Sequence, residues 1–391
     1  MSITSEISNL IKSTFRDSKY YPLHEPLISK NENKFINNCI KNKQFSTQGN
    51  LTSKFEKKIC NFTKSKFAVA TLTGTTAIEI SLISTGIKKN DEILVPNLNY
   101  IASVNSVLRV GAIPHFVDCE KDSLGIDLMK LKLYIKKNFT FKNKNLINKK
   151  TKRKLSAIIP THIFGYSTNI DKLVSFAKQY NLILIEDSSE SLGSFYKSKH
   201  LGLFGQVGII SFNGNKMITT GAGGMLITNN KKIYKKAKKL VTIGRKNTKK
   251  WIYDYDCHGF NYKMPSYNAA LGLAQMKNLT QILKKKKEIK NKYDSIFTKN
   301  NNFQLLFKNS KNIEWNNWVN FIILKSKLSL KNRNKILLDL NSRNIMVRPV
   351  WTIMSRIKFL KKFPRMNLNN SKHLENRIIC LPSCPNLKVK N

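Results

Sequence analysis

One lysine of this 391-residue chain is set apart by its neighbours. Lys216 lies in Ser211-Phe-Asn-Gly-Asn-Lys-Met-Ile-Thr-Thr-Gly-Ala-Gly-Gly224, where hydroxyl residues and three glycines follow it. Glycines let a ligand approach the backbone closely. An amine held in a partly desolvated cleft can form a Schiff base with a carbonyl. A solvated loop lysine is the plain alternative. A second segment, Ile185-Glu186-Asp187, delivers a carboxylate pair at the end of the apolar run Leu182–Ile185. Its ordinary use is to cap the next helix. A third, Thr73-Gly74-Thr75-Thr76, opens a helix-compatible stretch after a short apolar run. Free N–H groups and hydroxyls at such a start form an anion site, or simply an N-cap.

The elements that must position these residues alternate. Phe67–Leu72, Glu92–Val95 (stopped by Pro96), Ile113–Val117, Ser156–Ile159, Leu182–Ile185 and Gly208–Phe212 read as strands. They show no polar alternation, which predicts burial on both faces of a parallel or mixed sheet. Ala77–Leu82, Ile101–Val110 and Asn169–Tyr180 read as helices between them. This is an α/β pattern of three layers, in which ligands sit beyond the carboxyl ends of the strands. Residues 133–155, dense in Lys and Asn, read as an exposed insertion. Beyond about residue 265 the order becomes a long helix (266–297), a strand (318–324), a helix (328–340) and a strand (345–350), a smaller α+β domain. The expected division is an N-terminal arm (1–50), a large domain (51–265) and a small domain (266–391).

A phosphate cradle at a helix start, an aspartate at a strand end and a later lysine near glycines, in that order, match what pyridoxal 5'-phosphate (PLP) requires. Its phosphate needs N–H donors, its pyridine nitrogen a carboxylate, and its aldehyde a lysine. The chain resembles the DegT/DnrJ/StrS-type sugar-nucleotide aminotransferases, from Pro22-Leu-His-Glu-Pro26 to Leu381-Pro-Ser383. The motifs that carry the likeness are Gly74-Thr-Thr-Ala, Pro96-Asn-Leu-Asn-Tyr-Ile-Ala-Ser, Pro160-Thr-His-Ile-Phe-Gly165, Glu186-Asp-Ser-Ser-Glu-Ser-Leu-Gly193, the Lys216 segment, and Gly259-Phe-Asn-Tyr-Lys-Met-Pro-Ser-Tyr-Asn-Ala-Ala-Leu-Gly272.

The resemblance implies the type I (aspartate aminotransferase-like) PLP-transferase fold, a three-layer α/β large domain with a smaller α+β domain. It implies that Lys216 bonds the cofactor and later moves a proton, and that Asp187 pairs with the pyridine nitrogen. Gly74, Thr75 and Ser211 would hold the phosphate. Tyr100 would stack on the ring, Glu190 would stand near the phenolic oxygen, and His162 would lie in a loop beside the site as a third catalytic residue. Asn261 to Lys263 would reach a neighbouring subunit, which makes a homodimer with shared sites. Lys263 replaces a more usual Arg or Asn and gives up that fork's bidentate grip. Ala222 stands where Glu or Gly is usual. Related dehydratases carry histidine in place of the lysine, so Lys216 favours amino transfer. Leu23-His-Glu-Pro26, Asn213-Gly-Asn215 and Val347-Arg-Pro-Val-Trp-Thr352 look most like 4-keto-sugar aminotransferases of the legionaminic-acid type. Those take a UDP-linked 4-keto-6-deoxy sugar and, usually, glutamate. Arg348 and Asn261 are then candidates for substrate contact, with a surface ion pair as the other reading of Arg348. A 3-keto-sugar aminotransferase and a sugar dehydratase remain same-fold alternatives.

The composition excludes little. Lys+Arg 69 against Asp+Glu 23 gives a net charge of +46. Lys-Asn-Lys stretches recur at 41–43, 142–144 and 290–292 in unrelated segments, which points to a general residue bias. No nucleic-acid-binding motif accompanies the charge, so a basic non-catalytic anion or nucleic-acid binder is the weaker, different-class reading. The six cysteines and six histidines form no paired or metal-binding spacing, and no metal is expected. No apolar run nears the ~18–20 residues of a membrane span, and the N-terminus lacks signal-peptide character. The expectation is a cytoplasmic protein without membrane insertion.

Overall fold

The apolar runs of the sequence become strands buried on both faces. The computed structural model describes residues 2–47, 49–246, 252–297, 300–307, 310–326 and 328–390. Helices α1 (Ile3–Thr14), α2 (Lys30–Lys41) and α3 (Leu51–Thr63) precede β1 (Phe67–Thr71). Then come α4 (Gly74–Ser84), β2 (Glu92–Pro96), α5 (Ile101–Arg109), β3 (Ile113–Val117) and α6 (Leu128–Asn138). A hairpin, β4 (Phe139–Lys142) and β5 (Asn145–Asn148), leads to β6 (Lys154–Ile158), α7 (Ile170–Gln179) and β7 (Ile183–Asp187). A second hairpin, β8 (Phe195–Tyr196) and β9 (Lys199–His200), precedes β10 (Val207–Ser211), β11 (Gly224–Thr228) and α8 (Lys231–Val241).

The sheet order is β1-β11-β10-β7-β6-β2-β3. Strands β10, β7, β6, β2 and β3 are mutually parallel, and β11 runs antiparallel to both β1 and β10. Strands β1, β10, β7 and β2 therefore all end on one edge. That topology gathers Thr73, Asn99, Asp187 and Ser211, each at least 24 residues from the next, along a single rim. Val69, Leu94, Ile158, Ile185 and Ile209 are fully buried between the helical layers. This is the α/β architecture of the type I PLP-dependent transferases.

The 133–155 stretch departs from a simple exposed insertion. β5 pairs with the start of β6, and Phe139, Leu146 and Asn148 are buried. Asn148 Nδ2 donates to Glu92 Oε2 at 2.9 Å, and His115 Nδ1 lies 2.9 Å from the same oxygen. Two polar side chains among the lysines, Asn148 and Thr151, tie the stretch to Glu92, a feature that composition averages away.

In the C-terminal part, α9 (Ser266–Phe297) is followed by β12 (Phe303–Gln304), β13 (Ile313–Glu314), β14 (Phe321–Leu324), α10 (Leu330–Ser342), β15 (Arg348–Pro349), α11 (Asn369–Glu375) and β16 (Ile378–Cys380). The small sheet has the order β12-β14-β16-β15. Ala269, Met276 and Leu279 of α9 share a core with Phe55 of α3, whereas Ile289, Tyr293 and Phe297 share one with Ile7 and Ile11 of α1. One long helix thus spans both bodies, and α1 is built into the small one. The strand expected from residue 318 begins only at Phe321, because side-chain bonds hold 315–320 in an irregular path. Among the described residues no helix is long and apolar enough to cross a membrane.

Candidate active site

A cavity of about 320 Å³ opens on the rim where β1, β7 and β10 end. At one end stands the start of α4. Thr73 caps this helix: its hydroxyl accepts from Thr76 N at 3.1 Å, and Thr76 Oγ1 accepts from Thr73 N at 3.0 Å. Ala77 N begins the main-chain ladder onto Thr73 O. The N–H groups of Gly74 and Thr75 are left at the open helix end, where the helix dipole favours an anion. A Cβ on Gly74 would come 3.0 Å from Ser211 Cβ, so a side chain here would have to push Ser211 back from this helix start. Gly74, Thr75 and Ser211 all line the cavity.

Asp187 ends β7 and is buried. Its Oδ2 accepts from Ser103 Oγ at 2.5 Å and its Oδ1 from Ser189 N at 3.2 Å. Ser103 comes from the inward face of α5, beside Val104 and Val107. Tyr100, at the N-cap of α5, is half exposed over the cavity mouth, 6.2 Å from Trp351 between ring centroids.

Lys216 reaches the same cavity from the turn after β10, where its N–H donates to Asn213 O at 3.0 Å. Its Nζ donates to Glu190 Oε1 at 3.1 Å. Glu190 Oε2 accepts from Phe164 N at 2.8 Å. Burial pushes the Glu190 carboxyl above the ordinary range, and the Lys216 ammonium pulls against that rise.

Other expected residues lie elsewhere. His162 is fully buried in the wall behind the cavity, with Nε2 3.0 Å from Glu186 Oε2, and it does not line the cavity. Glu186 also accepts from the N–H groups of Gly202, Phe204 and Gly205. Burial opposes its charge, but the bonds from His162, Gly205 and Gly202 carry its carboxyl below the ordinary range. His162 thus supports the wall, and the expectation of a catalytic role is corrected to that extent: the alternation of β7 sends Glu186 inward and Asp187 to the rim. Arg348 Nη1 donates to Asn341 Oδ1 and Val347 O, both at 2.8 Å, on the small sheet away from the cavity. Asn261 is exposed beside Thr242. Lys263 Nζ donates to Thr47 O at 2.6 Å within the same chain, and burial lowers the pKa of its amine.

Sequence reasoning missed Ser103, Trp318 and Trp351. Ser103 carried a usable signal, a small polar residue on the apolar face of a helix. Of the two tryptophans, which line the cavity from the small domain, Trp351 was visible only as part of the Val347–Thr352 motif and Trp318 carried no local signal.

The residues present fit PLP. The helix start and Ser211 offer donors for a phosphate, Asp187 retains lone pairs for a ring N–H, and Lys216 lines the same cavity. Asn99 adds a second sign: its Nδ2 is buried on the cavity wall with no partner among the described residues, a donor that calls for a ligand acceptor.

Comparison with known proteins agrees. The DegT/DnrJ/EryC1/StrS aminotransferase family matches residues 26–391. GDP-perosamine synthase of Escherichia coli O157:H7 is 32% identical over 371 residues, 94% of each chain. Among solved structures, Helicobacter pylori PseC, an aminotransferase of pseudaminic acid biosynthesis, superposes with a TM-score of 0.84 at 25% identity over 94% of each chain. The PLP form of the Streptococcus pneumoniae sugar aminotransferase Spr1654 gives 0.82 at 23% identity over 93% of each. With a cofactor cradle, an acid and an amine on one rim, the chain belongs to the DegT/DnrJ/EryC1/StrS aminotransferase family and is a PLP-dependent aminotransferase.

Proposed function

We propose that the enzyme moves an amino group from an amino acid, glutamate, to carbon 4 of a nucleotide-linked 4-keto-6-deoxy sugar. The products are a 2-oxo acid and a 4-amino-4,6-dideoxy sugar nucleotide for surface polysaccharide. The observation that carries the reading is Lys216 on Glu190 at 3.1 Å, in a cavity shared with Asp187. The likeness to GDP-perosamine synthase over 94% of both chains supports the sugar class.

PLP, when bound, supplies an electron sink for the charge that develops as a C–H bond beside nitrogen breaks. The chain's own groups do the rest. Gly74 and Thr75 N–H and Ser211 orient the phosphate. Asp187, held by Ser103 and Ser189, keeps a proton on the ring nitrogen. Lys216 would take a proton from the carbon of the donor and pass it to the aldehyde carbon of the cofactor, and in the second half of the cycle would carry a proton from there to carbon 4 of the sugar, a positioned acid–base role worth roughly 10²–10⁴-fold. Glu190 orients the free amine. Tyr100 covers the site and excludes water.

A homodimer with shared sites completes the reading. Lys216 is the one cation among the described residues lining the cavity, although a cofactor phosphate and a substrate diphosphate must both be neutralised. Tyr253 and Tyr255 are exposed near the Asn261–Lys263 strip, as a surface for a second copy requires. A cytoplasmic site of action suits a nucleotide-sugar substrate.

The Leu23–Pro26 and Val347–Thr352 motifs favour UDP and a legionaminic-type route. GDP is the second reading, favoured by the GDP-perosamine relative. The test incubates the holoenzyme and glutamate with UDP-, GDP- and dTDP-linked 4-keto-6-deoxy sugars and reads products by mass spectrometry and NMR. The expected product has an amine at carbon 4. Amination at carbon 3, loss of a hydroxyl, or no product from any of the three would overturn the proposal.

A further inference from the structure

Four consecutive residues of the small domain, Trp315 to Trp318, are wedged between the loops that carry Lys216 and Glu190. Trp318 Nε1 donates to Asn215 O at 2.8 Å, one residue before Lys216. Asn316 Nδ2 donates to Glu190 O at 2.8 Å and Leu192 O at 3.0 Å. Trp315 Nε1 donates to Phe164 O at 2.9 Å, and the Phe164 N–H in turn binds Glu190 Oε2. Trp318 N donates to Asn316 Oδ1 at 3.0 Å, which locks the segment on itself. The approach is close: a Cβ on Gly165 would lie 2.4 Å from Asn316 Oδ1.

The face of Trp318 is turned to the lysine. Lys216 Nζ lies 4.3 Å from the ring centroid, with Glu190 Oε1 as its other partner. At the main chain, fully buried Lys286 of α9 donates to Trp318 O at 2.6 Å and also to Ser383 O. The indole is therefore pinned at its ring nitrogen, its amide and its carbonyl, and it presents its π-face to a single amine. An electron-rich ring attracts an ammonium, more strongly in a partly desolvated site.

We propose that Trp318 is a positioning residue for Lys216: its ring face holds the amine against Glu190, facing the cavity, whenever the lysine is not bonded to the cofactor. The inference rests on the proton-carrying role of Lys216 proposed above. A lysine side chain has four rotatable bonds and spreads over many rotamers; a ring on one side and a carboxylate on the other confine it to those that reach the cavity. Confinement raises the effective concentration of the amine at the reacting atoms.

The test compares Trp318→Phe, which keeps an aromatic face, with Trp318→Leu, which does not. Apoenzyme is mixed with PLP, quenched with borohydride, and the cofactor fixed on Lys216 is counted by mass spectrometry. Separately, the donor half-reaction of the holoenzyme is followed by its visible absorbance with L-glutamate and with α-deuterated L-glutamate. The expected result is capture and half-reaction slowed about tenfold in Trp318→Leu, a larger deuterium effect, an unchanged donor KM, and rates close to wild type in Trp318→Phe. Equal rates in Trp318→Leu and wild type overturn the proposal. So do equal losses in both variants, or a loss carried by KM. Trp318→Met is read by the same criteria if Trp318→Leu does not fold. A donor half-reaction that kept its wild-type rate in Lys216→Ala would instead remove the role of Lys216, and is thereby distinguished.

Discussion

Ser103 Oγ donates to Asp187 Oδ2 at 2.5 Å, and the two residues come from α5 and β7, 84 positions apart. The bond fixes the carboxylate on the rim with an oxygen turned to the cavity. Hydrogen bonds to an ionised group contribute roughly 1.5–3 kcal/mol. Ser103→Ala should therefore slow turnover by about tenfold and loosen cofactor retention. Dialysis of the two proteins side by side, with the visible band as readout, checks it.

Asp187→Asn keeps the shape and removes the charge that holds a proton on the ring nitrogen. Some cofactor should remain bound, yet turnover should fall by roughly 10²–10⁴-fold, the scale of a lost acid–base function. Near-normal rates would take Asp187 out of its proposed role.

Lys216→Ala should lose the visible band of the covalently held cofactor and nearly all turnover. The helix start and Ser211 remain, so PLP should still bind and be removed by gel filtration. An unchanged spectrum would refute the assignment of the lysine.

His162 gives the opposite expectation. Its ring meets Glu186 in the wall and does not reach the cavity. His162→Ala leaves Glu186 with its three main-chain donors and removes one bond, a cost of about 1–3 kcal/mol in stability. Urea unfolding should register that loss, whereas kcat of the folded holoenzyme should stay close to wild type. A collapse of kcat without a loss of stability would return His162 to the chemistry.

Lys286 ties stability to pH. It is fully buried, and burial holds its amine well below the ordinary lysine range. In the window between that lowered value and the ordinary ~10.4, the unfolded chain binds more protons than the folded one. Stability must then rise with pH. Lys286→Met abolishes the term. The stability difference between wild type and variant, measured by urea unfolding at several pH values from neutral to alkaline, should move in favour of wild type as pH rises.

The sequence by itself determined the fold class and singled out three groups that the fold brings to one cavity. Unalternated apolar strands require helices on both faces, and an ordered parallel sheet places its strand ends on one rim. Lys216, Asp187 and Gly74–Thr75 were legible there because each sits at a strand end with a local signature. Side-chain partners were not legible, because nothing local encodes them. Ser103 meets Asp187 only through the packing of α5 on the sheet. Trp318 reaches Lys216 only because a long helix carries the small domain back over the rim. The side on which His162 falls was decided by β7, whose alternation turns Glu186 to the interior and Asp187 to the cavity. The hairpin at 139–148 belongs to the sheet through the burial of Asn148 against Glu92, a contact spanning 56 residues. Periodicity reports what a residue does with its neighbours in the chain; the tertiary structure decides which distant groups share a pocket.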